Sequence, residues 1–83
     1  MALISDDRPF LIQIAAFEKY QSANKLAKKL SKIGYPAYCE FHKPKKGKSF
    51  FRVLIGNYGS SSETDRILTE IKKLGYDGFF SQN

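Results

Sequence analysis

The sequence predicts an α+β domain in the order βαββαβ, and three observations predict it. The chain repeats itself: Gly34-Tyr35 and Gly75-Tyr76 lie 41 positions apart, and the same spacing lays Phe10 on Phe51, Ile12 on Val53 and Ile14 on Ile55. The stretches FLIQIAAF and FFRVLIGNY alternate in the way of a half-buried strand. The segment after each carries apolar residues at steps of three and four, which draws one stripe along a helix.

Each element follows in turn. FLIQIAAF, residues 10–17, is the first strand. The helix after it aligns Ala23, Leu26, Ala27, Leu30 and Ile33, and its repeat aligns Thr64, Ile67, Leu68, Ile71 and Leu74. Gly34 and Gly75 follow the last apolar position of each, where a left-handed residue ends a helix. Ser60 followed by Glu63 fits a capping box for the second helix; the matching position before the first helix is Lys19. Short strands come next, PAYCEFH and GFFS, and KPKKGK joins the two halves as a hairpin loop, with Pro44 and Gly47 suited to turns. This order is the ferredoxin-like (RNP-like) pattern, a four-stranded antiparallel sheet with both helices on one face. Two βαβ repeats are expected at 10–41 and 50–82, within one domain spanning 10–83, behind a flexible N-terminal tail of residues 1–9.

Alternation assigns the faces. Ile12, Ile14, Val53 and Ile55 should lie under the helices with Ala37, Cys39 and Phe80. Leu11, Gln13, Ala15, Tyr38, Glu40, Arg52, Leu54 and Phe79 should look the other way. A slip of one residue would exchange the sets, and burying Gln13 and Arg52 unpaired would be costly.

With 83 residues the chain holds one small domain, and 42% hydrophobic residues, including seven Phe and five Tyr, suffice for a core. No apolar run is long enough to cross a bilayer and no signal-peptide pattern is present; if a parent protein is exported or anchored, its signal is expected outside this sequence. The net charge of +6 favours anionic partners or serves solubility alone. Cys39, the single cysteine, makes no intramolecular disulfide or metal motif and reads as a small core residue. His42 is the single histidine, no Ser or Cys has a base beside it, and no phosphate-binding glycine loop occurs. Catalysis, a cofactor and a bound metal are therefore not expected.

Binding candidates gather on the face turned from the helices. The Gln13 amide can donate to and accept from a polar ligand, or can simply be solvated. Arg52 offers a forked donor for a carboxylate, or pairs with Glu40. Tyr38 and Phe79, related by the repeat, present rings suited to sugars or bases, or pack against Tyr35 and Tyr76. Leu54 lies among them. The lysines of HKPKKGK can steer an anionic polymer in a salt-sensitive way.

FLIQIAAF, a helix ending LSKIGYPAY, FFRVLIGNY and a helix ending IKKLGYDGFF together resemble a SPOR domain (sporulation-related repeat) over nearly all of the chain after Pro9. The resemblance implies a bacterial envelope module, periplasmic or extracytoplasmic. Such modules bind peptidoglycan, prefer glycan strands without stem peptides, and so target a parent protein to the division septum. It implies binding on the open sheet face, with the family's first-strand Gln on Gln13 and its third-strand aromatic and Arg on Phe51 and Arg52. Alternation sends Phe51 to the helix side, so the two arguments differ there. Where the family often has Gly-Ser-Phe, this chain has Ala15-Ala16-Phe17, and a later Gly-Pro-Phe-like segment is Gly56-Asn57-Tyr58.

The expected function is thus a non-catalytic glycan-binding module using Gln13, Phe51, Arg52, Tyr38, Phe79 and Leu54. It is expected to act as a monomer on peptidoglycan, with no membrane contact and no nucleic acid partner. Removing a stem peptide exposes a lactyl carboxylate that Arg52 could hold. The alternative is an RNA-binding module of RRM-like fold using the same face; KGKSFF matches that family's third-strand motif only partly, because Lys48 takes an aromatic position. A protein-docking domain would use the same face.

Overall fold

The computed structural model of the chain describes residues 10–82. The expected tail, residues 1–9, and the final residue lie outside the described residues. The elements run β1 (Phe10–Phe17), α1 (Tyr20–Lys32), β2 (Ala37–His42), β3 (Phe50–Tyr58), α2 (Ser61–Lys73) and β4 (Phe79–Gln82). The four strands form one antiparallel sheet in the order β2-β3-β1-β4. This is the predicted βαββαβ architecture. The helices begin and end 41 positions apart, the spacing of the sequence repeat.

The helix ends follow from local chemistry. Behind α1, Tyr35 donates its N–H to the Leu30 carbonyl (3.1 Å) and Gly34 donates to Ser31 (3.1 Å). Behind α2, Tyr76 bonds Ile71 (3.2 Å) and Gly75 bonds Lys72 (3.0 Å). Both are Schellman motifs, which need a left-handed residue after the cap; Gly34 and Gly75 have φ of 106° and 98°. At the start of α2, Ser60 Oγ accepts from the Glu63 N–H (3.2 Å), while Lys19 makes no side-chain cap on α1.

Ile12, Ile14, Val53 and Ile55 of the sheet meet Ala23, Ala27, Leu30, Ile67 and Ile71 of the helices in one buried cluster. Ala37 and Cys39 pack against it, and burial raises the Cys39 thiol above its ordinary pKa. Thr64, the repeat partner of Ala23, is buried too, and its hydroxyl is satisfied by the Ser60 carbonyl at 2.8 Å. Phe80 lines up with Ile12 on the helix side but stays 40% exposed, its ring tilted against that of Phe10 with centroids 5.4 Å apart.

Two bulges interrupt the β1–β3 ladder. Gln13 pairs with Leu54 and Ala15 with Val53, so Ile14 has no partner of its own. Beyond that extra residue the alternation restarts one place late. Ala15, expected on the outer face, therefore packs against the helix-side cluster, and Ala16 opposite Arg52 is exposed. At the other end Phe10 pairs with Tyr58 and Leu11 with Gly56, which skips Asn57. Gly56 has φ of 148°, and a Cβ there would stand 3.0 Å from Leu11 Cβ and 3.2 Å from the Phe10 carbonyl oxygen.

Leu30→Ala and Ile71→Ala, at 0% exposure each, are expected to destabilise the domain by about 2–5 kcal/mol in denaturant titration. Gly56→Ala is expected to cost about 1–3 kcal/mol, because the strands at Leu11 must part to admit the methyl group.

Candidate functional site on the outer sheet face

The face turned from the helices is built by all four strands of the sheet. Register places Gln13 and Phe79 opposite each other across β1 and β4, Leu54 between Gln13 and Tyr38, and Arg52 opposite Glu40. Five of the six residues expected at a binding site, Gln13, Arg52, Tyr38, Phe79 and Leu54, share this face. The sixth does not. Phe51 packs against the helix-side cluster, with Tyr20 and Phe41 around its ring at centroid distances of 5.5 and 5.3 Å. Alternation was the better guide there, because Phe51 lies two residues before buried Val53.

Leu54 has 0% exposure and Leu11 2%, although neither belongs to the helix-side cluster. Leu54 therefore forms an apolar floor under the polar groups and offers a ligand no surface. Phe79 is the reverse, with 54% of its surface exposed.

The polar groups are joined across strands. Arg52 donates from Nε (3.1 Å) and from Nη2 to a single oxygen, Oε1, of Glu40. Its third nitrogen, Nη1, reaches Gln13 Oε1 at 3.4 Å. Glu40, Arg52 and Gln13 thus make one chain over β2, β3 and β1, with the Arg52 side chain 24% and Glu40 43% exposed. The pair cancels the charge of Arg52 locally. The edge of the guanidinium expected to grip a lactyl carboxylate already holds a carboxylate. That engagement needs the Glu40–Arg52 register, which the sequence supplies only once β2 and β3 are paired.

Beside this chain the Tyr38 hydroxyl donates to Asn57 Oδ1 at 3.2 Å. Burial first and the Glu40 carboxylate second raise the Tyr38 phenol above its ordinary range, with Arg52 opposing, so it remains a donor at neutral pH. Asn57, the bulged residue of β3, had no signal in the sequence. It also lines, with Pro36, Gly56, Tyr58, Gly59 and Glu63, a groove of about 400 Å³ at the end of the sheet. The lysine loop between β2 and β3 is solvated; Lys48 lies 3.8 Å from Glu18 in an exposed pair. Among the described residues no cluster of His, Cys, Asp and Glu is arranged to hold a metal ion, and no helix is long and apolar enough to cross a membrane.

Comparison with known proteins agrees with this architecture. The SPOR domain family model matches residues 6–82. A search of curated proteins found no match. Among solved structures, the SPOR domain of RlpA from Pseudomonas aeruginosa superposes with a TM-score of 0.75 at 22% identity, over 89% of this chain and 99% of that one. The peptidoglycan binding domain of the Bacillus subtilis cell wall lytic enzyme CwlC superposes with a TM-score of 0.74 at 23% identity, over 100% of this chain and 99% of that one. The family is one of binding domains, not of enzymes.

Gln13→Ala is expected to leave stability within about 1 kcal/mol of wild type, since it removes one long hydrogen bond on a partly solvated face. Leu54→Ala on the same face is expected to cost about 2–5 kcal/mol. Thermal unfolding of the two variants side by side separates floor from contact surface.

Proposed function

This chain belongs to the SPOR domain family, and from that premise we propose that it binds peptidoglycan through the outer face of its sheet. It favours glycan strands without stem peptides and so carries a parent protein to the septal cell wall in the bacterial envelope. The observation that carries the reading is the placement of Gln13, Arg52, Glu40, Tyr38 and exposed Phe79 on one face, over a buried Leu54.

The chemistry suits a sugar polymer. A sugar presents hydroxyl and acetamido groups at its edges and C–H groups on its faces. Gln13 and Glu40 supply amide and carboxylate partners for the edges, and Phe79 supplies an exposed ring for a face. A glycan strand lies along a sheet face most closely when no peptide projects toward the protein, which favours stripped strands by shape. The loop lysines Lys43, Lys45, Lys46 and Lys48 act at longer range, adding attraction that salt removes.

The test is retention on sacculi with and without amidase pretreatment, with single-stranded RNA as competitor. Retention that rises on stripped sacculi and ignores RNA is the expected result; loss of retention to RNA would instead favour the RNA-binding alternative. Gln13→Ala and Phe79→Ala are each expected to weaken retention by about two- to tenfold, the worth of one neutral contact. Neutralising the four loop lysines is expected to flatten the salt dependence while the preference for stripped strands survives.

A further inference from the structure

Within the peptidoglycan reading, on which this inference rests, we propose that Glu40 sets the charge selectivity of the face. With Glu40 in place, stripped strands are selected for their shape and not for their exposed carboxylates.

The geometry carries the argument. A free guanidinium is a strong partner for a carboxylate because two of its nitrogens can bond one anion in a fork. Here Nε and Nη2 both converge on Glu40 Oε1, and Nη1 turns to Gln13 Oε1. An incoming carboxylate must therefore displace Glu40 to use that edge. The displaced Glu40 would stay on the neighbouring strand, opposite Arg52. Two carboxylates would then share one guanidinium, and the repulsion between them cancels most of what the ligand gains. A hydroxyl or acetamido group meets no such competitor. It can bond the second oxygen of Glu40, which makes no hydrogen bond among the described residues, or the Gln13 amide nitrogen. The loop lysines add general attraction for anions, but they lie on a solvated turn and salt screens them.

The decisive comparison uses two samples of stripped glycan strands. One retains its lactyl carboxylates, and in the other they are converted to primary amides, so shape is kept and charge removed. Affinities are measured at about 0.15 M salt, where exposed charges act over only about 8 Å. Wild type is expected to bind the two samples within about twofold of each other. Glu40→Gln keeps the shape of the side chain and a hydrogen bond to Arg52 but frees its charge; it is expected to prefer the carboxylate sample by about fivefold or more, the order of one charge-assisted contact. Glu40→Ala should change the ratio in the same direction, and adding Arg52→Gln to Glu40→Gln should return it to the wild-type value. A wild type that already prefers the carboxylate sample strongly, or Glu40 variants that keep the wild-type ratio, would overturn the inference while leaving peptidoglycan binding intact. A wild type that binds neither sample would overturn both.

Discussion

Val53, Leu54 and Ile55, three successive residues of β3, are each at 0% exposure, so the centre of that strand is dry on both sides. A strand in that position fixes what surrounds it. On one side Val53 and Ile55 need both helices above them, which the apolar stripes of α1 and α2 provide. On the other side Leu54 needs cover that is not another layer of helix, and the side chains around it are polar. Arg52 cannot stand beside buried Leu54 without partners, because an unpaired charge at a half-dry surface is expensive. Glu40 and Gln13 supply them from the strands on either side. The dry strand thus produces both the core and the joined polar groups of the candidate binding face.

That sharing explains what could be read from the sequence and what could not. The spacing of 41 between matching glycines, the alternation in β1 and β3 and the stripes of α1 and α2 act locally, so order, face and helix ends were legible. The bulges at Ile14 and Asn57 were not. A bulge arises where two strands fail to keep step, and neither Ile nor Asn announces it. The cost appeared at Ala15, which alternation sent to the wrong face, and at Tyr38, whose partner Asn57 lies on the bulge. Phe51 shows the opposite case: family likeness drew it toward the ligand, and the plain period of two placed it under the helices. Arg52 was legible as a group with two possible partners; choosing Glu40 required the register of β2 against β3.

The proposed binding draws on two ranges of force. The +6 net charge and the lysine loop act at a distance and carry little information about which sugar is present. The outer face is locally balanced, since Arg52 and Glu40 offset one another, and in the proposal it acts by contact. On the proposed reading, attraction and recognition would therefore be carried by separate groups, and a change in one need not disturb the other.

The ladders of the sheet have a consequence for how the chain reaches this state. β1 pairs with β3 and β4, and β2 pairs with β3, so every ladder joins a strand of one half to a strand of the other. Neither half possesses a sheet of its own, and the Tyr35 hydroxyl donating to Glu70 Oε1 at 2.9 Å ties the end of one half to the helix of the other. The β2–β3 hairpin, the shortest closure, straddles the boundary between the halves. Placing β1 against β3 must then bring together segments separated by a whole helix and a strand, at the entropic cost that slows non-local pairing. The duplicated sequence therefore folds as a single cooperative unit: half of it, made alone, would have a helix with an apolar stripe and two strands with no one to pair.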